Sequence, residues 1–173
     1  MPLLGFALRE EFDVQLRRVI NGPKTVTNWG AWKAGIKMPR SAFPLSKNQF
    51  KIPKAYSWCV VEFDSQGDSY KLLVAYRVDL QRYQCLLGKV VLDDTIVLAR
   101  YEYHANEPGW HMHCVCDDAG QVPGTIKCSE KRLPAWSAFH KGKEFGTMDN
   151  RLALERAKRI FKLGKMPPAP LFA

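Results

Sequence analysis

Histidine is scarce in this chain, with four in 173 residues, and acid is missing altogether between Asp13 and Glu62. No uninterrupted apolar run approaches the ~20 residues that cross a bilayer. The opening stretch Met1–Leu8 has neither the length nor the basic start of a secretory leader. There is no C-x-x-C pair, which argues against a structural zinc ribbon. No Gly-rich phosphate loop, G-x-S-x-G elbow or H-E-x-x-H occurs, so nucleotide-hydrolysing, serine-hydrolase and zincin chemistry have no support. The five cysteines are odd in number and follow no framework spacing, so reduced thiols in a cytoplasmic setting are the simplest expectation.

What is present has the composition of a soluble globular protein, 46% hydrophobic and 25% charged. A single domain over 1–173 is expected, long enough to bury a core without staples. The net charge of +9 is unevenly placed. Residues 1–61 hold ten Lys/Arg against three Asp/Glu, residues 62–118 five against ten, and residues 119–173 eleven against four. An acidic centre between two basic ends points to a positive surface facing an anionic partner, RNA first and DNA second. An acidic inhibitor or partner protein fits the same charge, and a solvated surface that binds nothing is the bland alternative. A membrane partner is not expected.

Leu8, Phe12, Leu16, Val19 and Ile20 share one face at helical spacing and predict a helix over 7–20, stopped by Asn21-Gly22-Pro23 with a left-handed cap. Residues 24–55 read as an irregular arm broken by Pro39, Pro44 and Pro53. In that arm Trp29, Trp32, Phe43 and Phe50 alternate with Lys33, Lys37, Arg40, Lys47, Lys51 and Lys54. Aromatics can stack on bases while cations neutralise phosphates. Equally, the tryptophans can pin the arm to the core. Residues 56–116 read as an antiparallel meander of five strands: 56–63, 70–78, 83–92, 95–104 and 110–116. Each separator is short, as hairpins require. Residues 117–146 read as loop with at most one short helix, and Thr147 is the expected cap of a final basic helix spanning 148–163 within 147–164. Arg156 and Arg159 of that helix are candidate phosphate contacts. The fold class is therefore α+β: a five-stranded, mainly antiparallel meander sheet with N- and C-terminal helices packed on one face.

Three of the four histidines fall within Tyr101–Cys116, beside Arg100 and Glu102. Side chains alternate along a strand, so pairing decides which of them meet. If His104 pairs with Gly109, Glu102 faces His111 and Arg100 faces His113. One face then shows Arg100, Glu102, His104, His111 and His113. The other shows Val97, Ala99, Tyr101, Tyr103, Trp110, Met112, Cys114 and Cys116. Pairing His104 with Trp110 would scramble that division, so burial favours the first register, unless a bulge at Pro108-Gly109 intervenes.

The cluster admits three chemistries. As acid and base, His111 and His104 would cleave RNA without a metal, His113 assisting, Glu102 orienting an imidazole and Arg100 steadying the phosphorane-like charge. As a metal site, His-x-His would supply two ligands and His104 or Glu102 a third. As ordinary sheet residues they would do neither. His140 is an outlying candidate, and Asp93-Asp94 and Asp117-Asp118 read as turns. In outline, a helix followed by a curved antiparallel sheet over 7–116 resembles the small microbial ribonuclease toxins of the RelE-like and related folds, a likeness of architecture that does not carry function. The leading expectation is an RNA-binding protein with metal-independent endoribonuclease activity, with no cofactor and no resident metal. Binding to nucleic acid or an acidic protein without turnover is the alternative, and a metal-dependent enzyme the second. Oligomeric state has no signature in the sequence.

Overall fold

A computed structural model describes residues 16, 18–45, 51–105, 110–114 and 144–164. The expected meander strands form an antiparallel sheet, and a short strand precedes them, giving six in chain order. They are β1 (Thr25–Asn28), β2 (Ser57–Ser65), β3 (Asp68–Arg77), β4 (Arg82–Val91), β5 (Asp94–Tyr103) and β6 (His111–Cys114), followed by the helix α1 (Asn150–Phe161). β1 corrects the reading of 24–55 as wholly irregular: Thr25 pairs with Asp64 and Val26 with Phe63. The hairpins are tight for local reasons. Gln66 and Gly67 both take positive φ, 54° and 84°, between Ser65 and Asp68, the conformation that matches strand twist.

The sheet is covered on both sides. On the helix side, Val61, Leu72, Val74, Cys85, Leu87 and Tyr101 form one buried cluster with Ala153, Ala157, Ile160 and Phe161 of α1 and with Leu16, Val19 and Ile20. The hydroxyls of Tyr76 and Tyr83 donate to Asn150 Oδ1 at 2.8 Å and to the Ala153 carbonyl at 3.1 Å, tying α1 down. Burial here raises the Cys59 thiol to about 12 and pushes Cys85 up as well, so both stay protonated and inert. On the other side, Met38, Phe43, Leu45 and Ile52 of the arm, with Tyr56, cover Trp58, Leu73, Ala75, Leu86 and Val97. The arm is held by paired backbone bonds between Lys33 and Trp58, and the Trp58 indole donates to the Ile36 carbonyl at 2.9 Å. Strands β3 and β4 read as near-continuous apolar runs because both of their faces are buried.

Several expectations change in detail. The cap of α1 is Asp149 rather than Thr147: its carboxylate accepts from the Leu152 amide at 2.7 Å, satisfying a first-turn donor. The first helix is described only at residues 16 and 18–21, and it ends at Gly22 as expected. Gly22 is not left-handed. A Cβ there would stand 2.6 Å from the Arg18 carbonyl oxygen, to which the Gly22 amide donates at 2.7 Å. The other residues of the helix expected over 7–20, Lys47, Phe50, Cys116, the turn expected at Asp117-Asp118 and the expected loop with His140 lie outside the described residues.

Pro108-Gly109 lie outside the described residues, but a bulge occurs in β4–β5. Leu87 pairs with Ala99 and Gly88 with Val97, leaving Leu98 as an extra residue. It moves Val97 to the arm side, against the expected grouping with Ala99 and Tyr101. Gly88 makes the bulge possible, since a Cβ there would overlap Thr95 Cγ2 and approach Phe43 Cζ at 3.1 Å. Gly88→Ala should lower unfolding stability by about 2 kcal/mol in a denaturant titration, an overpacking cost at a site that cannot relax cheaply.

Candidate active site on the outer strands

The register of β6 on β5 is the one that burial favours. Glu102 pairs with His111, Arg100 with His113, Tyr101 with Met112 and Ala99 with Cys114. Trp110 supplies the physical reason. It is buried immediately before β6, stacked on Tyr101 with centroids 5.3 Å apart and edge-on to Tyr83 at 5.2 Å. Its indole donates to the Glu144 carbonyl at 3.2 Å, and the Arg156 guanidinium lies 3.8 Å from its ring centre. A residue with this many partners holds one position, and a slip of one residue would expel it from the aromatic cluster.

On the arm side of the sheet, Glu102 is 3% exposed. Its Oε1 accepts from an Arg100 terminal nitrogen at 2.9 Å, and His104 Nε2 stands 3.8 Å from the same oxygen. Glu102 is thus a buried carboxylate held by a guanidinium, with a partly exposed imidazole beside it. Two further polar atoms of this neighbourhood, Gln84 Oε1 and Arg100 Nε, are buried without a hydrogen-bond partner among the described residues. Gln84 is the β4 residue paired with Glu102. The register positions of His111 and His113 complete the group. A carboxylate can orient and charge a neighbouring imidazole, and imidazoles can take and return protons near neutral pH. Among the described residues, no three His, Cys, Asp or Glu come together as a metal site.

The expected phosphate-binding residues are not all brought together. Lys33, Lys37 and Arg40 are exposed on the arm, whose apolar residues cover the side of the sheet that carries Glu102. Trp29 and Trp32 instead pack against the helix-side cluster, and Trp32 meets Tyr76 edge-on at 5.6 Å. Arg156 is stacked on Trp110, and Arg159 is exposed on α1, on the far side of the sheet from the arm. Arg100 is tied to Glu102, which reduces its freedom to meet a phosphate. Gln84, Arg77 and Arg82 were missed from sequence. The short Val78–Gln81 connection that sets Arg77 opposite Arg82 was the available signal.

Set against protein-family models, curated proteins and solved structures, the chain matches none of them. Among the described residues no helix is long and apolar enough to cross a membrane.

The Arg100–Glu102 pair is a structural unit whatever chemistry it serves. Removing one partner strands a buried charge, so Glu102→Leu should cost about 3 kcal/mol of unfolding stability. Glu102→Leu combined with Arg100→Met should recover most of that loss. Additive losses in the double variant would show that the two charges do not depend on each other.

Proposed function

We propose that the protein binds RNA and cleaves it without a metal, through acid–base groups on the β5–β6 ribbon. The observation that carries this reading is the pairing of Glu102 with His111 and Arg100 with His113, beside the 3.8 Å approach of His104 to Glu102. One imidazole removes the proton of a ribose 2′-hydroxyl, whose oxygen attacks the adjacent phosphorus. The other protonates the departing 5′-oxygen. The products are a 2′,3′-cyclic phosphate and a free 5′-hydroxyl, and neither a metal nor a redox partner is needed. His104 and His111 take the two proton-carrying roles, Glu102 orients them, His113 assists, and Arg100 holds the Glu102 carboxylate in place. The exposed lysines of the arm draw in the polyanion. The free, buried thiols of Cys59 and Cys85 support a reducing, cytoplasmic setting.

A second reading, binding of RNA or of an acidic protein without turnover, is favoured by the burial of Glu102, because a sealed carboxylate paired to arginine also serves a sheet that does no chemistry. Incubation with single-stranded RNA in excess chelator separates the two. Cleavage leaving cyclic phosphate ends is expected, and its loss in His111→Ala, with fold and RNA binding retained, would place His111 in the reaction. Wild-type turnover in that variant would remove it. Binding with no turnover in the wild type would leave the second reading. In either case Lys33→Ala with Lys37→Ala should weaken RNA binding and flatten its salt dependence by about one to two units of slope. An unchanged slope would make the arm a solvated surface.

A further inference from the structure

One row of the sheet carries more positive charge than its packing explains. Arg77 of β3 and Arg82 of β4 are directly paired. One step beyond the Tyr83–Tyr103 pair, the same row continues to His104. By the alternation of side chains this row lies on the arm side, next to the row Ala75, Gln84, Glu102 and His111. Like charges directly opposite each other in an antiparallel pair destabilise it. Arg77 is relieved by Asp79, which accepts two bonds from its guanidinium, each 2.7 Å. Arg82 is exposed, and no acid or hydrogen-bond acceptor meets it among the described residues. A repulsive cross-strand pair with one member unrelieved gives the sheet nothing, but it suits an anion. Neighbouring strands lie about 4.8 Å apart, so cations on successive strands can follow the phosphates of an extended strand laid across the sheet. Such a strand would pass His104 at the end of the row and bring its ribose–phosphate to the group around Glu102.

We infer that Arg82, flanked by Arg77 and His104, is the phosphate-binding residue of the site, and that single-stranded RNA crosses β3, β4 and β5 along this row. The inference rests on the RNA reading above and assigns to Arg82 the grip that Arg100, bonded to Glu102, does not supply. Its test uses a short 2′-O-methyl RNA, which binds but cannot be cut through its 2′-oxygen, with affinity measured by anisotropy across a salt series. Arg82→Ala is expected to weaken binding about fivefold at moderate salt and to reduce the salt slope by about one, with Arg82→Lys restoring most of the slope. Relief of the repulsion should also raise the melting temperature of Arg82→Ala by about 1–3 °C, whereas a structural arginine would lower it. Wild-type affinity and slope in Arg82→Ala would overturn the inference and leave the cleavage reading standing. Lost affinity in Arg82→Ala, with His111→Ala still cutting natural RNA at the wild-type rate, would sustain the inference and overturn the acid–base reading. Failure of the wild type to bind the oligomer would overturn both.

Discussion

Strand β5 pairs with β4 over its whole length while carrying one residue more, Leu98, than the stretch Tyr83–Val91 it pairs with. Because side chains alternate, one surplus residue exchanges the two faces for everything that follows. Val97 lies with the arm, and so do Arg100 and Glu102, although an unbroken strand would set them on opposite sides. Without the bulge, Arg100 and Glu102 would point beneath α1 into the tyrosine cluster, and Ala99 and Tyr101 would replace them outside. The bulge needs a partner residue with no side chain in the way, and Gly88 meets that need. Glycine at 88, a strand pairing two against one, and the side on which the polar group appears are therefore one constraint.

Burial of a charge pair rarely stabilises a fold, because desolvation of both ions offsets their attraction. Glu102 has nonetheless been taken to 5% side-chain exposure with a guanidinium at 2.9 Å and an imidazole at 3.8 Å. A leucine and a methionine would fill the same space at less cost. What the ionic pair supplies is a carboxylate beside a partly exposed imidazole. Hydrophobic residues cannot supply that charge.

The parts of this design that were legible from sequence are those governed by local pattern. The hairpins follow from short polar separators between apolar runs, and the β5–β6 pairing follows from parity, because only one register groups Tyr101, Met112 and Trp110 on a single side. The illegible parts depend on partners distant in sequence. β1 is four residues with a mostly exposed pattern, too short for periodicity to mark. The bulge at Leu98 is defined by what stands across from it, not by its own neighbours. Thr147 and Asp149 are both good cap residues, and only the backbone decides whose oxygen reaches an amide three positions on. Glu102 and Arg100 were seen to share a face, but their burial depends on what covers them. Arg77 and Arg82 lie five apart in the chain and meet only because the turn between them has four residues.

The same dependence on folding explains what becomes of the two basic ends. In the sequence they look like one cationic surface. In the fold the chain passes around the edge of β2, from Trp32 against Tyr76 on the helix side to Ile36 against Trp58 on the other, so the arm and α1 lie on opposite faces. On α1 and its C-terminal cap much of the charge is engaged: Arg156 on Trp110, Lys158 with Glu155 at 2.6 Å, and Lys162 donating to Asn21 Oδ1 at 2.6 Å. On the arm side Lys37, Lys51 and Lys54 are exposed, and Arg82 stands across from another arginine. Cations already satisfied within the fold gain little from a phosphate, whereas cations left in solvent release counterions when one arrives. The electrostatic argument therefore favours the arm side, and that is the side to which the extra residue in β5 turns Glu102 and His104.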